Sequence, residues 1–283
     1  MSSYLLTECT DDGEYNAVQC GREYLSYDIL LAPAALDGSD DVGHVHGPAF
    51  VPQSSRNLTD MDFVPCVRCL LWPSQAADWP SRHRQYGWPD SATVERVVSN
   101  GCDVVYVAHR SCEKDESMNN HQCRLSFSRA EIVLLKSWMP VQQIVYHVLR
   151  VFVKTERLTD SANDAGAKAF TNYHIKTLTL WACELKPRSW WIDDVDVVRI
   201  CVELLHILAV WLNDGRCANY FIINCNLLGY CDDSYYTECI ARQLASVTEP
   251  WLAEWFISNY VRKCAQQNCP RHVSRLFLSL IHI

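Results

Sequence analysis

The stretch from residue 122 to 138 changes its hydrophobic period half-way along, and this constrains the fold more than any other feature. Its first part alternates polar and apolar residues, the period-two pattern of a strand, with Arg124, Ser126 and Ser128 as the polar members. From Ser128 the apolar residues recur at helical spacing, and Glu131 stands where the capping-box partner of an N-cap serine belongs. The pattern predicts a strand that runs directly into a helix at Ser128.

The polar side of this predicted strand has two interpretations. Arg124 with the hydroxyls of Ser126 and Ser128 would suit an anion or a nucleotide, because arginine supplies a fixed pair of donors. A strand face that is simply solvated fits the same three residues. Spacing alone leaves both interpretations open.

Strand-type patterns precede residue 128 and helical patterns follow it. Strands are predicted near residues 63–70 and 103–108, and helices near 141–157, 173–184, 194–214, 235–246 and 251–267. This segregation predicts an α+β fold. The length of 283 residues suits one large domain or two packed lobes.

Three Trp-Pro pairs, Trp72-Pro73, Trp79-Pro80 and Trp88-Pro89, lie in the irregular segment between these patterns. The residue before a proline is kept away from the helical region. We therefore expect each tryptophan to anchor an extended loop on the core rather than to lie in a helix. An exposed aromatic binding face is the alternative.

Composition excludes several classes of protein. A net charge of −8 does not describe an overall basic nucleic-acid binder, although a local basic patch remains compatible with it. The fifteen cysteines lack framework spacing, and the first residues show no secretory pattern, which predicts reduced thiols in a cytosolic or nuclear protein. No apolar run reaches the 18 or so residues that a membrane span needs.

Motifs for metal or phosphate chemistry are weak. Cys66 and Cys69 have a zinc-like interval, but residues three apart on a strand face opposite sides. No Walker loop and no G-x-G-x-x-G sequence occurs. Asp60 and Asp62 lead into a predicted strand, where carboxylates can hold Mg²⁺, although a solvated loop end fits them equally.

Several multi-residue blocks follow one another in a recognisable order. They are Asp62-Phe63-Val64-Pro65, Trp72-Pro73, Trp79-Pro80, Arg124-Leu125-Ser126-Phe127-Ser128, Asn172-Tyr173-His174-Ile175-Lys176-Thr177, Glu184-x2-Pro187-Arg188 and Asn219-Tyr220-Phe221-Ile222. Together they resemble the Mab-21 family, which includes cyclic GMP–AMP synthase and the cGAS-like receptors. The resemblance implies an incomplete nucleotidyltransferase core over residues 1–128 and a helical lobe of the Mab-21 HhH/H2TH-like type over 129–277.

The resemblance also implies a function and a set of site residues. The function is nucleic-acid-activated synthesis of a cyclic dinucleotide from ATP and GTP, with Mg²⁺ or Mn²⁺ held by three carboxylates while a ribose hydroxyl attacks an α-phosphate. The implied residues are Asp62 as the third metal-binding and catalytic carboxylate, Arg124, Ser126 and Ser128 on the nucleotide-contacting strand, Arg150 near a ligand phosphate, and Tyr173 stacking on a base. Double-stranded RNA is the implied activator, with Arg82, Arg84 and Arg96 as the local basic cluster.

Two departures qualify this expectation. Active members carry a Gly-Ser turn followed by a Glu-x-Asp pair upstream of the third acid. That motif is not found here, and the residue most similar to part of it is Asp28. We therefore expect the chain to be the C-terminal two-thirds of a longer domain, inactive as given. The alternative is a non-catalytic Mab-21-like protein that uses the fold for binding or development. No His/Cys insertion follows Glu131, so the resemblance implies no zinc.

The last six residues, 278–283, are what the DNA sequence CTGTCTCTTATACACATC encodes. That sequence is a transposon end used in sequencing-library adapters, which predicts a non-native tail.

Overall fold

The computed structural model describes residues 44–46, 49–51, 64, 66–106, 123–158, 170–191, 197–228 and 234–262. Several sequence predictions fall outside these residues. They concern Asp28, Asp60, Asp62 and the tail at 278–283.

The described strands precede most of the helices. The strands are β1 (His44–His46), β2 (Ala49–Val51), β3 (Val67–Cys69), β4 (Cys102–Tyr106) and β5 (Cys123–Ser126). The helices are α1 (Asp78–Ser81), α2 (Ser91–Ser99), α3 (Ser128–Lys136), α4 (Pro140–Thr155), α5 (Asn172–Leu185), α6 (Val197–Asn213), α7 (Ser234–Ala245) and α8 (Glu249–Phe256). Strands β1 and β2 form an antiparallel hairpin, and β3-β4-β5 form an antiparallel sheet in that order. The α+β prediction is confirmed.

The chain divides into two compact units. The described residues between 44 and 74 and between 96 and 132 form the sheet unit, and those between 75 and 95 and between 133 and 262 form the helical unit. Among the described residues, no helix is both long and apolar enough to cross a membrane.

The predicted change of period at Ser128 is confirmed. Strand β5 ends at Ser126, α3 begins at Ser128, and the Glu131 N–H donates to the Phe127 carbonyl over 2.8 Å. Phe127 is fully buried, as the apolar pattern requires. The interpretation of the polar strand side as simply solvated is wrong, because Arg124 is 6% and Ser126 is 3% exposed.

Gly101 connects α2 to β4 at a point where only glycine fits. Its φ is +64°, and a Cβ there would overlap the Cys69 carbonyl oxygen and lie 2.9 Å from the Leu70 Cα. Its N–H donates to the Val98 carbonyl over 3.0 Å, so this glycine closes the end of the helix.

The tryptophan predictions are confirmed at Trp79 in one respect and wrong in another. Trp79 is 1% exposed and packs on Phe221, with ring centroids 5.3 Å apart, so it does anchor its segment. It nevertheless lies in α1 (Asp78–Ser81) rather than in an extended loop. Pro80 is tolerated there because the first turn of a helix does not use its backbone N–H groups.

A buried carboxylate ties three distant segments of the helical unit together. Glu184 on α5 is 3% exposed, and its two oxygens each lie 2.8 Å from a nitrogen of Arg82. The Tyr220 hydroxyl donates to the same carboxylate over 2.7 Å, and the Arg82 guanidinium also donates to the Tyr220 carbonyl over 3.0 Å. Burial, followed by the Glu184 charge, raises the pKa of Tyr220 well above its ordinary value.

Aromatic rings enclose the Arg82 side of this ion pair. The guanidinium carbon lies 4.5 Å from the Trp181 ring centroid and 4.9 Å from that of Tyr220. Such faces attract a cation, so the two rings add to the stabilisation of the Arg82 guanidinium. Arg84 supports the arrangement by donating to the carbonyls of Trp79 and Arg82 over 2.7 and 2.9 Å.

His174, at the start of α5, is held neutral by its surroundings. The Thr171 N–H donates to Nδ1 over 3.1 Å, so Nε2 carries the proton and faces the Leu227 carbonyl at 3.5 Å. The ring stacks on Phe170 at a centroid distance of 5.4 Å. Burial lowers the pKa of His174 below its ordinary value, despite the carbonyl oxygens of Thr171 and Leu227 that oppose this shift.

Replacing Glu184 by glutamine should destabilise the helical unit strongly, because the half-buried Arg82 guanidinium would lose its counter-charge. We expect a loss of about 3 kcal/mol in the free energy of unfolding, the scale for breaking one side of a buried ion pair. Glu203→Gln is the matched control: Glu203 pairs with Arg199 at 2.6 Å, but its side chain is 38% exposed. The control should lose about 1 kcal/mol or less. Urea unfolding measures the free energy of unfolding of both variants. Equal losses would show that the Glu184 ion pair contributes no more to stability than an exposed one.

Acidification should lower stability through His174. The unfolded histidine gains a proton as the pH falls through about 6.5, whereas the folded one, with a lowered pKa, stays neutral. The contribution is therefore complete above pH 6.5 and is lost as the pH falls towards the folded pKa. His174→Gln should weaken the dependence of unfolding free energy on pH between 7.5 and 5, while His83→Gln, at an exposed position, should leave it unchanged. An identical dependence in all three proteins would contradict the assignment.

Candidate functional site

The register of the three-stranded sheet collects polar residues on one face. Residues directly opposite each other on antiparallel strands point to the same side. Asp103 on β4 pairs with both Arg68 on β3 and Ser126 on β5, and Val105 pairs with Arg124. Arg68, Asp103, Arg124 and Ser126 therefore share one side of the sheet, called the polar face below.

The opposite side of the sheet is apolar. Cys69 pairs with Cys102, and Val104 pairs with Leu125. Cys69, Cys102 and Leu125 are each at most 6% exposed. The sheet therefore packs its apolar side in the core of its unit and carries its polar groups on the other side.

Much of the polar face is buried as well. Arg124, Ser126 and Asp103 are 6%, 3% and 6% exposed, whereas Arg68 is exposed. Taking charged groups out of water costs free energy unless other groups compensate them. Buried side chains are held in fixed positions by the groups around them. Fixed donors can select a ligand by its shape and charge.

Two hydroxyls meet where β5 passes into α3. The oxygen atoms of Ser126 and Ser128 lie 2.9 Å apart, so one hydroxyl donates to the other. Ser128 is the first residue of α3, whose N-terminal amides favour negative charge. The junction can therefore offer hydroxyl and amide donors to the same anion.

Arg129, the next residue, reaches back to the polar face. Its Nε lies 3.0 and 3.1 Å from the two carboxylate oxygens of Asp103. The hydrogen bond with Asp103 raises the pKa of Arg129 above its ordinary value. With Arg68 and Arg124, this region holds three guanidinium groups and one face carboxylate in a chain of net charge −8. Guanidinium groups are donors that can bind an anion.

The thiols of the zinc-like interval point away from each other, as predicted from strand alternation. Cys69 lies on the apolar side, while Cys66 is exposed and close enough to Asp103 to feel its charge. Burial, and then Asp103, raise the pKa of the Cys66 thiol. In the described part of the chain, no three His, Cys, Asp or Glu side chains come together as a metal site.

The structure brings together some of the residues predicted for the site. Arg124, Ser126 and Ser128 lie at one end of the polar face. Asp62 lies outside the described residues, so its roles in catalysis and in metal binding stay predictions. Arg150 and Tyr173 belong to the helical unit.

Arg150 and Tyr173 have different surroundings within that unit. Arg150 is exposed on α4, and its guanidinium carbon lies 5.5 Å from the Tyr146 ring centroid. Tyr173 is 5% exposed, and Asn219 donates to its hydroxyl oxygen over 3.4 Å. The roles in phosphate contact and base stacking implied by resemblance stay predictions for both residues.

Sequence reasoning missed Asp103 and Arg129. The sequence marks Asp103 only as the start of a predicted strand, because its pairing with Ser126 depends on strand register. Arg129 could have been found, because it immediately follows Ser128 and shares the junction. The arginines at 82 and 84, which with Arg96 form the basic cluster expected to contact RNA, surround Glu184 and are half-buried, and their contact with RNA stays a prediction.

Two protein-family models match consecutive parts of the chain. The Mab-21 protein nucleotidyltransferase domain matches residues 43–137, and the Mab-21 protein HhH/H2TH-like domain matches residues 142–245. Together they account for well over half of the 283 residues. The polar face falls within the first domain, and Arg150 and Tyr173 fall within the second.

A curated relative points the same way. A protein mab-21-like from Aedes aegypti is 28% identical over 170 residues, a match covering 59% of this chain and 44% of that protein. The chain thus spans about half the length of the curated relative it matches.

Proposed function

The chain belongs to the Mab-21 family, and from this premise we propose that its polar face binds the phosphates of a nucleoside triphosphate. In full-length form, the protein is a nucleic-acid-activated synthase that joins ATP and GTP into a cyclic dinucleotide with Mg²⁺. The binding step concerns residues of this chain, and the synthase activity concerns the whole protein.

One observation carries the proposal: Arg124 and Ser126 are buried side by side on a sheet face that ends at a helix N-terminus. A structural arginine could as well have been an apolar residue, since well-packed apolar side chains often replace buried charges without loss. Arginine is the preferred partner of phosphate because its fork of donors can make two parallel hydrogen bonds.

Each group of the polar face has its own proposed role in binding. Arg124 would neutralise phosphate charge, and the hydroxyls of Ser126 and Ser128 would donate to phosphate oxygens. Arg129 and Asp103 neutralise each other over 3.0 Å and hold the β4 end of the face in position. Donors fixed before the ligand arrives cost no reorganisation when charge develops on a phosphate.

Mg²⁺ binding is proposed only for the full-length protein. Carboxylate oxygens are the ligands that Mg²⁺ prefers, and Asp62 is the predicted carboxylate in this chain. A bound Mg²⁺ would neutralise charge on the transferring phosphate. The described residues assemble no such donor set on their own.

A non-catalytic scaffold is the second candidate. It is favoured by the sequence observation that a Gly-Ser turn followed by a Glu-x-Asp pair is not found in these 283 residues. The coding sequence upstream of Met1 distinguishes the candidates: that motif supports the synthase, and an uninterrupted upstream sequence without it supports the scaffold.

Arg124→Ala should weaken binding of ATP or GTP by about tenfold to a hundredfold, the scale of a lost hydrogen bond to a charged group. Arg124→Lys should fall between the parent and the alanine variant, because it keeps the charge but loses the paired donors. Arg242→Ala removes the same charge from a side chain that is 71% exposed, and it should leave affinity unchanged. Isothermal titration and thermal unfolding are measured together. An unchanged affinity with a lowered Tm would make Arg124 structural and defeat the proposal.

The chain as given should make no cyclic product. Incubation with ATP, GTP, Mg²⁺ and double-stranded RNA, followed by chromatography of the nucleotides, checks this expectation. A cyclic dinucleotide that disappears in Arg124→Ala would show that the acidic pair is dispensable or lies elsewhere in the chain.

A further inference from the structure

A cavity of about 330 Å³ opens beside α1 (Asp78–Ser81). One wall is formed by α1 and the residues next to it, and the other wall by the turn at 221–224. All of the lining residues belong to the helical unit. The volume is near the lower end of the roughly 300–1,000 Å³ that is typical of small-molecule sites. This cavity, called the α1 pocket below, therefore suits a compact ligand.

The base of the α1 pocket is apolar and its mouth is polar. Trp79, Phe221 and Ile222 line the pocket and are at most 6% exposed, so they form its base. The polar lining residues that are exposed, and so lie at the mouth, are Gln75, Asp78, Ser81 and Asn224. An apolar surface with a few polar groups is the usual composition of a small-molecule site.

Hydrogen bonds hold both walls of the pocket in place. The Asn219 side-chain oxygen accepts from the N–H groups of Phe221 and Ile222 over 2.9 and 3.1 Å. On the other wall, the Arg84 guanidinium donates to the Trp79 carbonyl over 2.7 Å. The rings of Trp79 and Phe221 meet at a centroid distance of 5.3 Å and join the walls at the base. Walls that are fixed before a ligand arrives lower the entropic cost of binding it.

Asp78 gives the mouth of the pocket a negative charge. In the part of the chain that the structure describes, its carboxylate forms no ion pair. The other charged lining residue is Arg82, whose charge is balanced by Glu184 at 2.8 Å. Arg84, the second arginine beside Glu184, does not line the pocket. A ligand that enters the α1 pocket therefore meets the carboxylate of Asp78 as the charge still open to pairing.

A cation with an apolar body fits these features better than other ligands do. An anion would meet Asp78 at the mouth, and it would find Arg82 already paired with a carboxylate. A protein partner would need a wider apolar surface, because protein interfaces centre on large apolar anchors. At this mouth the exposed apolar side chain is that of Ile223, which is 48% exposed.

We propose that the α1 pocket binds a small organic cation, an ammonium group on a compact aromatic or aliphatic body. The body lies against Trp79, Phe221 and Ile222, and the ammonium group donates a charge-assisted hydrogen bond to Asp78. This site lies in the helical unit, and it goes beyond the nucleotide binding proposed for the polar face. Neither proposal depends on the other.

Three probes with the same ring and different charge test this inference. They are phenylethylamine, which is a cation at neutral pH, phenylethanol, which is neutral, and phenylpropanoate, which is an anion. Saturation-transfer NMR titration measures the affinity of each probe for the whole chain, and thermal unfolding is run with and without the amine. ATP is added at the end of each amine titration.

Two pairs of variants accompany the probes. Asp78→Asn removes the charge at the mouth, and Asp214→Asn removes an equal charge from another exposed position of the helical unit. Ile223→Ala shortens the apolar side chain at the mouth, which is 48% exposed, and Ile257→Ala shortens one that is 44% exposed elsewhere. All four positions are exposed, so each variant should keep the Tm of the parent.

The parent should bind the amine about fivefold more tightly than the alcohol, the scale of an ion pair near the surface, and the carboxylate most weakly. Asp78→Asn should abolish this preference and leave the affinity for the alcohol unchanged. Ile223→Ala should weaken the amine and the alcohol alike, by about threefold, because it removes apolar contact. The two control variants should match the parent. The amine should raise the Tm of the parent, since it binds the folded state.

Four outcomes would overturn the inference. They are no binding of the amine in the millimolar range, equal affinity of the parent for the amine and the alcohol, equal losses in Asp78→Asn and Asp214→Asn, and displacement of the amine by ATP. The last would place the amine at the nucleotide site. ATP binding itself is tested with Arg124→Ala, so a failure of the nucleotide proposal leaves this test intact.

Discussion

The helical unit depends on one buried carboxylate. Glu184 accepts hydrogen bonds from Arg82 and from the Tyr220 hydroxyl, residues 102 and 36 positions away in the chain. An ion removed from water is tolerated only when its partners satisfy it, and then it penalises every arrangement that separates them. The segment 75–95 is thereby fastened to α5 and to the loop at 217–228. Aromatic contacts of Trp79, Trp181 and Tyr220 complete this attachment.

The sheet unit also buries charged and polar groups, on the polar face of its sheet. Its polar face buries Arg124 and Ser126, and Asp103 is neutralised by Arg129 from the first turn of α3. Asp103 has its counter-ion from within the unit. Arg68 and Arg124 add two further guanidinium groups to the same face. These donors are the basis of the proposed nucleotide binding.

Three kinds of arginine can thus be distinguished by what surrounds them. Arg82 is enclosed by a carboxylate and two aromatic rings, and its role is to hold the fold. Arg124 is buried on a face built of polar groups, and its proposed role is to bind a phosphate. Arg150 is exposed on α4, and its guanidinium carbon lies 5.5 Å from the Tyr146 ring centroid. Their residue type is identical, and burial together with counter-charge decides the role of each.

Local sequence pattern determined several element boundaries and the order of the elements. The change of period at Ser128 and the order of strands before helices follow from the sequence, because each depends on neighbouring residues. The family is also readable there, from blocks such as Asn172–Thr177 and Asn219–Ile222. Only the tertiary structure decided that Asp103 faces Ser126 and that Arg82 faces Glu184. Strand register and ion pairing across a hundred residues depend on how whole elements pack, and no periodicity in the sequence records that packing.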